Sequence, residues 1–283
     1  MRLYNNWYLI KAPLAFLQRT PIIFALLLTF LILLISSIFV YLTNIEKYKI
    51  ENALDIQASR LENVLMSRVN YTFAIIKNVN SQIAQDPHNN NHIQQILEKF
   101  KTSPDLNNAF SWTIFSWANS HHKITVDAQY GIMTNPVSLT GRDYIPLTID
   151  KPNEFHLGSP VLGSTSKKWM IPGGVGLTDK DGKYLGALTI GFELNSLAES
   201  LNEALKNKSI GFELTDKNAL TILYGYNASF DTSQSLFIEQ KLIKRIIEDL
   251  KYAKDKVSVY DIALFQNRHA FVVRKISNFP YYL

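Results

Sequence analysis

The sequence predicts an α+β protein with an N-terminal transmembrane helix, a long amphipathic helix and two antiparallel-sheet lobes. Three observations predict it. No charged side chain lies between Arg19 and Glu46. No Pro or Gly interrupts the chain from Asn44 to Ala84, where apolar residues recur at helical spacing. Beyond Phe110 the texture changes to β-branched and aromatic runs, separated by turn residues and two further helical stretches.

The first element is the run Pro21 to Leu42, almost wholly apolar. A helix needs roughly 20 such residues to cross a hydrocarbon core of about 30 Å, so residues 21–43 are read as a membrane span. A cleaved signal peptide is the rival reading. Its apolar region is usually about 7 to 15 residues long and ends at a small-x-small pair; here the run is longer and no such pair precedes Glu46. A buried core helix is the other rival, but such helices are seldom apolar on every face. Arg2, Lys11 and Arg19 precede the span with no acid, whereas Glu46, Lys47, Lys49, Glu51 and Asp55 nearly balance after it. Cytoplasmic flanks are enriched in Lys and Arg, so residues 1–20 are expected in the cytoplasm and the large domain outside. Trp7, Tyr8 and Tyr41 suit the two membrane interfaces.

Charge and composition narrow the function. Of 29 Lys and Arg, three lie before the span, leaving 26 against 24 Asp and Glu. That balance argues against a nucleic-acid surface, which needs a clustered basic face. Cysteine is absent, so an exported domain would fold on its core alone, without disulfides.

Residues 44–86 form the second element. Leu61, Leu65, Val69, Phe73, Ile76 and Ile83 make its apolar stripe, with Arg60, Glu62, Arg68 and Lys77 on the wet face. The stripe can pack on a sheet, pair with a second copy, or do both along different turns. Asp86-Pro87 breaks the helix, and Ile93, Ile96, Leu97 and Phe100 mark a short second one. Strands are expected over Phe110–Ala118 and Lys123–Tyr130, then a loop-rich, proline-bearing stretch from Gly131 to about Lys168. Trp169–Thr178 and Tyr184–Leu194 read as a hairpin around Asp179-Lys-Asp-Gly182, and Asn195–Leu205 as a helix capped by Asn195. A smaller set follows: strands Ile210–Thr215 and Ala219–Tyr224, a helix over Ser233–Lys254, and strands Lys256–Phe265 and His269–Ile276. Two antiparallel sheets are expected.

Several of these segments resemble a known family. Gly141-Arg-Asp-Tyr-Ile-Pro146, the run from Leu157 to Trp169, Ile171-Pro172, and Leu177 to Phe192 with its Asp-x-x-Gly hairpin look like the double-Cache (PDC-like) extracytoplasmic sensor domains. Arg274 to Leu283 is similar to the closing strand of such domains. These sensors belong to bacterial sensor histidine kinases, diguanylate cyclases and chemoreceptors. The resemblance implies two PAS-like (Cache) lobes, a membrane-distal one over 87–208 and a membrane-proximal one over 209–283. It also implies a homodimer through the long helix, a bacterial inner-membrane location and a small-molecule ligand. Family members continue past the Phe-Pro segment into a second membrane helix and a cytoplasmic output module, whereas this sequence stops at Leu283. The expectation is a truncated or decayed sensor kinase or cyclase, or a stand-alone subunit with a single anchor.

The resemblance assigns Arg142 and Tyr144 to the Arg-x-aromatic motif that faces the ligand in the distal lobe. A guanidinium offers a fork of donors suited to a carboxylate or other small anion. The alternative is that Arg142 tethers its loop to Asp143 or Asp150. Trp169 is the third ligand-binding candidate, with a core position as its alternative. Ile145 stands where the amino-acid-binding motif has Tyr, and Gly158 to Trp169 contains no acid, which places an α-amino-acid ligand in doubt.

Catalytic and metal signals are lacking. Gly173-Gly-Val-Gly176 is followed by no Gly-Lys-Ser/Thr and is not a P-loop. Asp179-Lys-Asp-Gly182 lacks the later ligands of a calcium loop, and His88, His92, His121 and His122 have no metal-ligand spacing. No enzyme motif, cofactor or metal site is expected. The reading is a membrane-anchored sensor, with a structural or adhesion protein and a tethered enzyme as rivals.

Overall fold

The computed structural model describes residues 8–101, 112–164, 166–205, 210–216, 218, 220–225, 244–248, 250, 258–264, 267–276 and 281–283, with the backbone alone for 8–20, 112–114, 258–264 and 267–272. Helix α1 covers Tyr8–Ile83. The chain divides into two compact units, Met1–Ala53 and Leu54–Leu283.

In the first unit every residue from 21 to 42 is exposed. Among the described residues this is the one stretch long and apolar enough to cross a membrane. Its threonines are compatible with an apolar surrounding, because the Thr29 hydroxyl donates back to the Ala25 carbonyl at 2.8 Å and that of Thr43 to Val40 at 2.9 Å.

The second unit is built on the apolar stripe of α1. Leu61, Leu65 and Val69 enter one core, and Ile76, Val79 and Ile83 a second. The predicted stripe is thus on the buried side, with Phe73 packed at its margin. The helix stops at a turn through Asp86-Pro87, and α2 (Asn90–Lys101) starts beneath an Asn89 cap. The Asn89 Oδ1 accepts from the backbone N–H of Asn91 at 3.1 Å and of His92 at 3.2 Å, the bonds an N-cap side chain supplies.

The main sheet holds β1 (Trp112–Asn119), β2 (Lys123–Asp127), β3 (Gly131–Ser138), β4 (Phe155–Leu157), β5 (Val161–Leu162), β6 (Trp169–Thr178) and β7 (Tyr184–Glu193). Its order is β3-β2-β1-β7-β6-β4, with β5 also on β6, and every pairing is antiparallel. The β6–β7 hairpin turns where expected. Asp179 Oδ1 accepts from the N–H of Asp181 at 3.0 Å and of Lys183 at 2.8 Å, and Gly182 takes the positive φ of 79°.

Both faces of β6 and β7 are covered, which is why they read as continuous apolar runs. Val175, Leu177 and Leu188 meet α1 and α2 with Trp117 in one core. The other face of β6 carries α3 (Tyr144–Asp150). Gly174 and Gly176 make that approach possible: a Cβ at Gly176 would collide with the Thr148 carbonyl, and one at Gly174 would press the Tyr144 ring at 3.2 Å. Gly174 and Gly176 of the run Gly173-Gly-Val-Gly176 are therefore a seat for a helix, while Gly173 lies against β4.

The stretch expected to be loop-rich, 131–168, is more ordered than its prolines suggest: it contains β3, α3, β4 and β5. Pro146 lies in the first turn of α3, where a missing N–H costs no helical bond. Pro136 sits on β3, the edge of the sheet, where strand prolines are tolerated.

Helix α4 (Leu194–Ala204) corrects another expectation, because Glu193 rather than Asn195 holds the N-cap position and no side-chain cap bond forms. The Glu193 carboxylate is engaged instead by Lys168 Nζ at 3.0 Å and by the Ser196 hydroxyl at 3.3 Å. Leu197 and Leu201 of α4 join Leu61, Leu65, Val69 and Ile171 in a core shared with β8 (Phe212–Asp216) and β9 (Thr221–Gly225). Two sheets were expected beyond α1; the described strands form three hydrogen-bonded sets. Strands β10 (Ser258–Leu264) and β11 (Asn267–Val273) pair only with each other, while β12 (Tyr281–Tyr282) closes on β8. Most of the expected 233–254 helix lies outside the described residues; 244–248 and 250 are helical.

The C-terminal segment clasps α1. Arg274 reaches Asp55 at 3.0 Å and Glu62 at 2.9 Å, two acids seven positions and so about two turns apart on one helix face. Its backbone pairs with Leu283 in both directions, at 2.7 and 2.8 Å. Tyr281, fully buried on the same strand pair, donates its hydroxyl to the Gly158 carbonyl, which lies beside Asp143 and Tyr144.

Candidate functional site

On the α3 side of the main sheet a cavity of about 40 Å³ opens among β2, β3, α3, β6 and β7. Val137, Leu139 and Met170 supply apolar wall, and Arg142, Tyr144, Asp127, Ser164 and Thr189 the polar atoms.

The turn before α3 presents Arg142, and the first residue of α3 is Tyr144. Asp143, between them, is pinned by Ser159, whose N–H approaches both carboxylate oxygens at 3.0 Å and whose hydroxyl donates at 2.5 Å. Arg142 and Tyr144, on either side of this anchor, both line the cavity. Tyr144 is buried with its ring between Gly158 and Gly174, and its hydroxyl has no hydrogen-bond partner among the described residues. Arg142 is half-buried and makes no ion pair among the described residues. The alternative role for Arg142, a tether to Asp143 or Asp150, is therefore not realised: Asp143 is held by Ser159 and neither acid is paired with the guanidinium.

Trp169 is placed elsewhere. It is 58% exposed at the start of β6, opposite Leu162 of β5, and lines neither the cavity nor a core. The next residue, Met170, faces the cavity in its stead. β6 is covered on both faces along its middle, so its terminal position is the one left to solvent.

Asp127 is the site residue that sequence reasoning missed. Ile124 and Val126 alternate as if they shared one face, but the β1–β2 register shifts between Trp117 and Ala118, pairing Trp117 with Val126 and Ala118 with Ile124. That bulge sends Val126 to the α1 side and leaves Asp127 opposite Ser116 on the cavity side. Its Oδ2 accepts from the Ser116 hydroxyl at 2.8 Å, and its Oδ1 from the N–H of Gln129 at 2.7 Å and of Tyr130 at 3.1 Å.

Solved structures with this architecture are sensor domains. The ligand-binding domain of the Pseudomonas fluorescens chemoreceptor CtaA, in complex with L-serine, matches 83% of this chain and 96% of its own at 12% identity and a TM-score of 0.60. The sensory domain of the Campylobacter jejuni chemoreceptor Tlp3, with isoleucine bound, matches 82% and 91% at 13% identity and 0.57. The extracellular domain of a protein described as a histidine kinase, rpHK1S-Z16, matches 84% and 94% at 11% identity and 0.62. The fold is that of a double-Cache sensor domain. No family model and no curated protein matches the sequence, so the likeness is one of fold.

The Leu54–Leu283 unit holds two phenols that report on its integrity. Burial pushes Tyr144 upward, with Arg142 opposing and Tyr184 and Asp143 adding to the rise; burial also raises Tyr281, helped by Asp143 and Asp216. In the unfolded chain both ionise near the usual value of about 10. Their contribution to stability is complete below that pH and is lost as pH rises toward the higher folded values. Urea midpoints are expected to fall between pH 9 and 11, and the fall to be shallower in Tyr281→Phe; equal slopes would refute the assignment.

Proposed function

We propose that this chain is a membrane-anchored extracytoplasmic sensor, not an enzyme, whose 54–283 unit binds a small anionic ligand in the cavity at Arg142. The observation that carries the reading is the guanidinium itself, half-buried, lining a cavity and without an ion-pair partner among the described residues. A cation held in this way has donors to offer a ligand. The fold supports the same reading, since the solved chemoreceptor domains CtaA and Tlp3 are described with small ligands bound.

In this reading residues 1–20 are cytoplasmic, 21–43 cross the bacterial inner membrane, 44–86 form the stalk, 87–208 the membrane-distal Cache lobe and 209–283 the membrane-proximal one. The partners are the ligand, the membrane and a second copy paired through α1; nucleic acid is not among them. Ligand acts by differential affinity for two states of the sensor, and α1 is the element that carries the difference toward the membrane. Reporter activity on the cytoplasmic side of a fusion after Leu283 would reverse the orientation, and sedimentation of the full chain as a strict monomer would remove the dimer.

The binding claim is tested by thermal shift of the detergent-solubilised chain against carboxylates, amines, sugars and nucleotides, since a ligand of the native state raises Tm. At least one anion is expected to raise Tm, and Arg142→Ala to weaken its binding by about 100-fold, the loss of one desolvated charge contact. A parent protein that no compound shifts would count for the rival reading of a structural or adhesion protein.

A further inference from the structure

The last residues of the chain touch both the wall of the cavity and the Asp55–Glu62 stretch of α1. We infer that the C-terminal ladder, Arg274–Ile276 against Tyr281–Leu283, is a strap that couples the two. Tyr281 fastens it to the segment behind Tyr144, and Arg274 fastens it to α1.

The ladder fixes how these attachments lie. Arg274 and Leu283 exchange both backbone bonds, at 2.7 and 2.8 Å, Lys275 stands opposite Tyr282, and the Ile276 N–H donates to the Tyr281 carbonyl at 3.0 Å. Residues opposite one another in an antiparallel ladder share a face, as do residues two apart on one strand. Arg274, Ile276 and Tyr281 are therefore on one side of a single short ladder, within about 7 Å along it. That side meets α1, since Ile276 and Tyr281 share a core with Leu61 and Leu65.

At the cavity end the Tyr281 hydroxyl donates to the Gly158 carbonyl. Gly158 has no slack: a Cβ there would stand 2.5 Å from Asp143 Oδ1 and 2.7 Å from the Tyr144 ring. Its N–H donates to the Pro172 carbonyl at 2.8 Å, and Pro172 and Tyr144 both line the cavity. A displacement of Tyr144 thus reaches Gly158 by direct contact and Tyr281 through its hydroxyl. At the other end Arg274, 25% exposed, holds Asp55 and Glu62 together. A planar guanidinium fixed by two carboxylates has little freedom to turn, so α1 between these acids follows the strap. The strap belongs to the fold; that a ligand drives it rests on the sensor reading above.

The test is hydrogen–deuterium exchange of the full chain in nanodiscs, with no ligand added, comparing the parent with Tyr281→Phe and Arg274→Gln. Each substitution is expected to speed exchange at the far attachment as well as its own, because coupling between sites is reciprocal. Tyr281→Phe should speed the amides of 55–62, and Arg274→Gln those of 143–159, each by about 3-fold or more, while the β1–β2 amides change by less than about 2-fold. Acceleration confined to the substituted end, or equal acceleration in β1–β2, would overturn the strap. Should Arg274→Gln not fold, Arg274→Lys, whose point charge lacks the fork that spans both acids, takes its place under the same criteria. Because no ligand is present, a failed strap leaves the sensor reading standing, and a failed ligand screen leaves the strap standing.

Discussion

Replacing Gly176 by valine is expected to cost about 3 kcal/mol or more in stability, at the upper end of overpacking effects. The new side chain has nowhere to go. Its Cβ would overlap the carbonyl oxygen of Thr148, and backbone cannot swing aside as the end of a lysine can. Helix α3 is fastened at both ends: Asp143 is bonded to Ser159, and the Thr148 hydroxyl donates to Ile145 at 2.8 Å and meets the Tyr184 hydroxyl at 3.3 Å. Valine therefore forces the helix off β6, and Tyr144 leaves its seat on Gly174 together with one wall of the cavity. At about 2–4 °C per kcal/mol for a domain of this size, Tm should fall by roughly 6 °C or more. Ligand response should fall with it. A variant with parental Tm would mean that α3 does not sit on β6 as described.

Trp117→Ala is expected to destabilise by about 3–5 kcal/mol, the range for emptying a buried aromatic site. Trp117 is 1% exposed on β1, within the core that joins Val175, Leu177 and Leu188 to the α1 and α2 side chains. The cavity left by an indole has strands on one side and helices on the other, so it cannot collapse without separating the layers. Gly186 shows how close the fit is, because a Cβ there would strike the Trp117 ring. Denaturant titration followed by circular dichroism measures the effect; a loss below about 1 kcal/mol would place Trp117 outside the core.

Much of the architecture was legible because it rests on local rules. An uncharged run of bilayer length, a helix-period stripe and an Asp-x-x-Gly turn between apolar runs each state their own structure. The α+β class, with a long helix followed by antiparallel strands, follows from such local signals. Where several local rules competed, legibility ended. The prolines of 131–168 suggested loop, although one lies in a helix's first turn and another on an edge strand, positions that only the surrounding chain defines.

The site divides in the same way. Arg142 and Tyr144 stood out by their motif, and both line the cavity. Trp169, chosen by the same resemblance, points to solvent, because its exposure depends on where β5 and the sheet edge end. Asp127 was invisible, since a one-residue bulge reverses which face it occupies and sequence alternation carries no mark of it.

The sequence by itself thus determined the apolar run of bilayer length, the stripe of α1, the hairpin and the candidate cation, all properties of composition and period within one segment. Only the tertiary structure decided that a glycine run is a helix seat, that Asp127 faces the cavity but is occupied by its own turn, and that Arg142 lacks an ion-pair partner among the described residues. Each of those depends on the distance between segments far apart in the chain, and distance is set by packing.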